Sequence, residues 1–155
     1  LREEARKRGI EITRESLREL GNELRKKEGK GFLSRKLIEK MEDGKNYVVG
    51  TIRNPGEVKD FRKNKGKEFV LVRIDAPDFI RFERMVKRGR ENDPISFEEF
   101  RKLEVIELGK GQKAHGLQIK KCVEMADKVI VNDGSLEDLR KKGERLFVEL
   151  KEQNP

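Results

Sequence analysis

From Leu1 to Gly44 the apolar residues recur three or four positions apart among charged ones, the period of an amphipathic helix. Leu1 and Ala5 predict a first helix closing at Gly9. Leu17, Leu20 and Leu24 predict a second, which opens after Thr13 and stops near Gly29-Lys30-Gly31. Leu33, Leu37 and Met41 predict a third that ends at Gly44, a residue type suited to the turn after a helix. The period then shortens. YVVGTI (Tyr47 to Ile52), FVLVRI (Phe69 to Ile74) and KVIVN (Lys128 to Asn132) carry apolar residues on both faces, as buried parallel strands do.

Helix-start signals follow each run. Asn54 can cap, Pro55 suits the first helical position and Glu57 can reach back in a capping box. Asp75-Ala76-Pro77 leads into a helix, Ser96 with Glu99 opens another, and Ile119, Val123 and Ala126 share the face of a third. Gly134-Ser135 starts a C-terminal helix with Leu136, Leu139, Leu146 and Leu150. Strands alternating with helices predict an α/β domain around a parallel sheet. Ligands bind at the carboxyl ends of such strands, which here carry Arg53-Asn54, Asp75-Ala76-Pro77 and Asn132-Asp133-Gly134.

The 155 residues suit one domain. Charged residues make up 44% and hydrophobic ones 34%, yet the apolar periods argue against disorder. A formal charge of +8 and a pI near 9.6 favour anionic partners. Abundant Lys, Arg and Glu also suit a heat-adapted protein. The single cysteine, Cys122, excludes an internal disulfide and reads as a buried thiol in a reducing cytoplasm. No apolar run approaches the roughly 18 residues of a membrane span, and no signal peptide is visible, so a soluble cytoplasmic protein is expected.

RFERMVKRGRENDP (Arg81 to Pro94) carries the most specific chemistry. Phe79, Phe82 and Val86 form the expected core stripe of its helix, while Arg81, Arg84 and Arg88 share about 60° of arc. Such a face is either a solvated cationic surface or a grip for phosphate, whose oxygens match guanidinium forks. Gly89 and Arg90 extend it into a cationic loop, as a mobile phosphate lid would need. Arg53, at the end of its strand, reads as a phosphate contact or as an ion-pair partner. The phenylalanines at 79, 82, 97 and 100 fall at helix-core spacing. His115 has no triad partner, and no Cys/His cluster offers zinc spacing, so no metal ligands are assigned. GKGQKAHG (Gly109 to Gly116) is glycine- and lysine-rich, and its part around 109 to 113 reads either as a plain surface loop or as a flexible loop able to hold an anion.

In order and spacing, LREEARKRGIEITRESLRELGNELRKKEG, IRNPGEV, RFERMVKRGRENDP and ADKVIVNDGSLEDL resemble the P-loop nucleoside-monophosphate-kinase-like proteins related to dephospho-CoA kinase. That resemblance covers nearly the whole chain. It implies a three-layer α/β/α fold that moves the terminal phosphoryl of Mg²⁺-bound ATP to a small phosphorylated acceptor, such as a (deoxy)nucleoside monophosphate. Residues 1–44 would form the acceptor-binding region, 45–77 the sheet core, 78–112 the lid and 113–155 a helix-strand-helix unit. Arg2, Arg53 and Asn54 would bind substrate, Arg84, Arg88 and Arg90 would act in catalysis, and Asn132, Asp133 and Gly134 would lie near the nucleotide.

Two departures stand against it. No G-x-x-x-x-G-K-[ST] occurs, and VVGTIR places Gly50 where VVDSIR is expected, leaving Asp75 as a substitute. The phosphate loop and a central strand would then lie upstream of Leu1, or another segment or chain would fill their slot. The kinase reading expects the guanidiniums near 53 and 81–90 to converge on one phosphate cavity. A non-catalytic nucleotide-binding regulator and a basic nucleic-acid-binding module remain alternatives.

Overall fold

The computed structural model describes residues 1–90 and 93–153. Glu91 and Asn92 of the arginine-rich run therefore lie outside the described residues. The chain divides into two compact units, the first of Leu1–Phe69 with Val105–Met125, the second of Val70–Glu104 with Ala126–Pro155. The class is α/β, with helices dominant and one small parallel sheet of two strands.

The first unit is helical. Its α1 (Arg2–Lys7) and α2 (Arg14–Glu28) close over Ala5, Leu20 and Leu24, with Ile10, Ile12, Leu17 and Phe32 packed around them. The three-and-four spacing in the sequence is this buried stripe. Thr13 begins α2 by a capping box, exchanging hydrogen bonds with Ser16. The next helix, α3 (Phe32–Ile38), stops short of the predicted Gly44. Asn54 caps α4 (Pro55–Lys65), Pro55 takes its first position and Glu57 reaches back, as the sequence predicts. Val58 and Phe61 of α4 are buried, and Phe61 stacks on Phe69 with ring centroids 5.0 Å apart. Burying such side chains contributes about 1.5–3 kcal/mol each.

The predicted strand at 47–52 does not form. Val48 is 102% exposed, and Thr51 takes a left-handed φ of 64° that breaks an extended run. The physical reason is pairing. Among the described residues the first unit holds no strand, and an isolated β segment cannot satisfy its own backbone groups.

In the second unit, β1 (Val72–Asp75) pairs in parallel with β2 (Lys128–Val131), Val72 opposite Lys128 and Asp75 opposite Val131. Just before the ladder, the Leu71 N–H donates to the Asp127 carboxylate and the Asp127 N–H to the Leu71 carbonyl. Helix α5 (Asp78–Arg88) follows β1 and ends at Gly89, whose φ of 58° is the left-handed turn glycine permits. The expected stripe on α5 is corrected by the structure. Phe79 and Val86 are exposed, and Met85 is the buried residue of this helix. Phe82 instead lies 5.5 Å from Phe97 and 5.7 Å from Phe100, both on α6 (Phe97–Glu107). In the first unit α7 (Ile119–Val123) buries Cys122. In the second, α8 (Leu136–Gln153) lies along β2, with Lys128 bonded to Glu149. Among the described residues no helix is long and apolar enough to cross a membrane.

Candidate functional site

The carboxyl ends of the two strands meet in the second unit, where the Asn132 N–H donates to the Asp75 carbonyl at 2.6 Å. Proline at 77 turns the chain directly from β1 into α5, so the first turns of that helix rise beside the strand ends. A cleft of about 360 Å³ opens there. Ile74, Ala76 and Met85 supply its apolar lining, and Asp75, Arg81, Arg84, Arg88 and Asn132 its polar groups. A wider depression of about 660 Å³ borders the same helix, but its charged groups, Glu83, Arg84 and Lys87, include no strand-end residue.

Each cleft guanidinium is anchored by a different acceptor. Arg84 donates through both terminal nitrogens, to the carbonyls of Asn132 and Gly134, each at 2.8 Å. That fork ties α5 to the loop after β2 and leaves the remaining N–H donors of Arg84 for another oxyanion. Arg88 pairs with Asp93 at 2.7 Å. Arg81 donates to the Ala76 carbonyl at 3.0 Å and pairs with Asp78 and Glu104. Asp78 also binds Arg101. The hydrogen bond from Arg81 holds the Asp78 carboxyl below its usual range. Burial pushes Glu104 the other way despite the same arginine. Arg90 lies just beyond the helix, exposed and without an ion-pair partner among the described residues.

Beside the cleft, Lys142 of α8 donates to the Val131 carbonyl at 2.6 Å and to the Asp133 carboxylate at 3.1 Å. The Lys142 contact lowers the pKa of Asp133. Gly134 allows the loop to turn close to the start of α8, since a Cβ there would meet the Asp138 carboxylate at 2.8 Å. Thus Arg84, Arg88 and Asn132 line one cleft, Gly134 is joined to Arg84, and Asp133 is held by Lys142.

The other predicted residues lie in the first unit. Arg2 is exposed at the start of α1. Arg53 is half-buried with its guanidinium 3.9 Å from Glu107, which also lies 3.8 Å from Arg14. Asn54 is fully buried. Its carbonyl oxygen accepts the Gly56 N–H, and its amide donates to the carbonyls of Ala114 and Gly116 at 3.1 and 2.9 Å. Arg81, part of the arginine face that the sequence singles out, lines the cleft with Arg84 and Arg88, whereas nothing near Lys142 in sequence marks it, because its role arises from α8 packing against β2.

Among the described residues no group of three His, Cys, Asp or Glu side chains is placed to hold a metal ion. Among the described residues, Asp75 is the carboxylate that lines the cleft.

Comparison with known proteins places the chain in a family. The chain is 37% identical over 154 residues to a UPF0200/UPF0201 protein of Archaeoglobus fulgidus, matching 97% of this chain and 46% of that protein. It is 37% identical to a UPF0200 protein of Hyperthermus butylicus, covering 97% of this chain and 77% of the relative. A UPF0200 protein of Thermococcus onnurineus is 33% identical over 94% of this chain and 78% of its own length. The chain thus spans less than half of the Archaeoglobus protein and about three-quarters of the other two. No family model matches the chain. These relatives overturn the resemblance to P-loop nucleoside-monophosphate kinases, since nothing in them links the chain to that family.

Proposed function

The chain belongs to the UPF0200 family, and from that footing we propose that its strand-end cleft binds the phosphates of a nucleotide and serves phosphoryl transfer. In this reading ATP donates its terminal phosphoryl to a small phosphorylated acceptor, such as a (deoxy)nucleoside monophosphate. The observation that carries it is the convergence of Arg81, Arg84, Arg88 and Asn132 on one 360 Å³ cleft at the carboxyl ends of parallel strands. Phosphoryl transfer asks the protein mainly for positioning and for neutralisation of developing charge, which fixed guanidiniums supply without a nucleophile. Arg84, held by two carbonyls, is pre-oriented towards an oxyanion. Arg88 exchanges Asp93 for phosphate when ligand arrives. Asn132 and Gly134 present the backbone of the loop beside the nucleotide. Mg²⁺ accompanying ATP would supply charge neutralisation on its phosphates, beside the guanidiniums of Arg84 and Arg88.

The exposed apolar residues Ile74, Val129 and Val131 of the two-stranded sheet support a larger parallel sheet, covered by helices in a three-layer α/β/α arrangement. A second reading, a nucleotide-binding regulator without turnover, is favoured by one fact. Arg81, Arg84 and Arg88 each already engage internal acceptors.

Full-length protein offered ATP and a panel of nucleoside monophosphates separates the two. Acceptor-dependent ADP release, lost in Arg88→Ala with little change in melting temperature, supports transfer. Saturable ATP binding without ADP release supports the regulator. No binding of ATP or pyrophosphate by calorimetry removes both.

A further inference from the structure

The loop from Gly109 to Gln118 lies in the first unit, whereas the cleft residues belong to the second. Two buried amides draw its carbonyls inward. Asn54, fully buried, donates to the carbonyls of Ala114 and Gly116. Gln118, 7% exposed, donates to those of Gln112 and Lys113, each at 3.3 Å. The base of the loop is locked by the Gln118 N–H, which donates to the Arg53 carbonyl at 2.8 Å.

No peptide bond among the described residues is cis. A trans peptide places each carbonyl opposite the N–H of the next residue. Inward carbonyls at 112, 113 and 114 therefore turn the N–H groups of Lys113, Ala114 and His115 away from the interior. None of these three N–H groups donates a hydrogen bond among the described residues. Successive outward N–H groups are the arrangement that binds anions. The charge agrees. Residues 108–123 include Lys110, Lys113, Lys120 and Lys121 and no acid. Lys110 and Lys113 are exposed and have no ion-pair partner among the described residues. The nearest preceding acid, Glu107, faces Arg14 and Arg53. The compact turn also needs its glycine, because a Cβ at Gly116 would meet the Gln112 side-chain oxygen at 2.9 Å and the Lys113 carbonyl at 3.1 Å.

We infer that the 113–115 backbone, flanked by Lys110 and Lys113, is a second phosphate-oxyanion site, with Asn54 and Gln118 as the positioning residues that hold its N–H groups outward. This site is independent of the cleft reading. Its ligand is a phosphate group, from a free phosphomonoester or from a nucleic-acid backbone.

The test is a titration of the ¹⁵N-labelled chain with inorganic phosphate at constant ionic strength, with chloride as control. Saturable amide shifts at Lys113, Ala114 and His115 are expected. They should weaken about fivefold or more in the exposed Lys110→Ala/Lys113→Ala double variant and persist in Arg84→Ala. Parallel titrations with adenosine monophosphate and with an oligothymidylate assign the source. Saturation by the mononucleotide identifies a free phosphomonoester, and saturation by the oligonucleotide alone identifies a backbone phosphate. Absence of saturable shifts at 113–115 with every phosphate probe overturns the site, as does a double variant that titrates like the parent chain.

Discussion

Glu57→Ala is the most informative single perturbation of the first unit. One carboxylate oxygen accepts Arg25 Nε at 2.8 Å, and the other accepts the N–H groups of Arg53 and Asn54 at 2.9 and 3.3 Å. The side chains of Arg25 and Glu57 are only 3% and 5% exposed. Truncation strands a buried guanidinium and leaves two N–H groups at the start of α4 without their acceptor. Removing one partner of a buried pair costs about 3–5 kcal/mol. The lost reciprocal cap adds about 1 kcal/mol. The expected loss is therefore about 4–6 kcal/mol, read from urea unfolding followed by circular dichroism. Glu57→Gln keeps an acceptor for the cap but not the charge, so it should fall between parent and Glu57→Ala. Arg25→Met/Glu57→Leu removes both charges and should recover much of the loss, since apolar replacement of a whole buried pair is often neutral. Cys122, buried in the same unit, serves as a local reporter through its reactivity with a thiol reagent. A loss under about 1 kcal/mol for Glu57→Ala would refute the reasoning, because that is the range of an exposed pair. A double variant as unstable as the single one would refute it equally.

Four further outcomes follow from the same contacts. Arg84→Lys cannot reach both the Asn132 and Gly134 carbonyls, so pyrophosphate binding measured by calorimetry should weaken about tenfold, and unchanged affinity would remove the role assigned to the fork. Asp93→Asn removes the charge that Arg88 pairs with and should tighten pyrophosphate binding about two- to fivefold, whereas weaker binding would contradict the exchange of acceptors. Burial pushes the Cys122 thiol up to about 11, so native-state alkylation should stay slow through pH 9. The folded pKa is raised, so the neutral thiol favours the fold below the unfolded value near 9. That contribution should fall away as pH rises from about 9 to 11, and fast labelling at pH 8 would show Cys122 to be accessible. Lys142→Met should return the Asp133 carboxyl towards its ordinary range, an upward shift visible in a side-chain carboxyl NMR titration.

Local chemistry was legible in the sequence. The helix expected after Thr13 and the cap signals at Asn54-Pro55-Gly56-Glu57 match observed helix starts, because capping needs only residues within one turn. Two of the three β-rich runs contain strands, although β1 begins at Val72 instead of Phe69. The third, at 47–52, had the same composition and formed none, since a strand depends on a neighbour that composition cannot reveal. The face of α5 was misread for a similar reason. Spacing alone makes Phe79 and Val86 core residues, but both stay exposed, although Phe79 lies edge-on to Phe97 at 6.2 Å, and Phe82 packs between Phe97 and Phe100.

The sequence by itself determined where several helices begin, which helix carries the arginines and that the chain is strongly cationic, because these rest on residue type and short spacing. Tertiary structure alone decided what each polar group faces. Contacts across 48 to 62 positions seat Arg84 on the loop after β2 and turn Asn54 inward to shape a distant loop. A hydrogen bond is satisfied by whatever the fold brings within about 3 Å, and no local pattern records that neighbour.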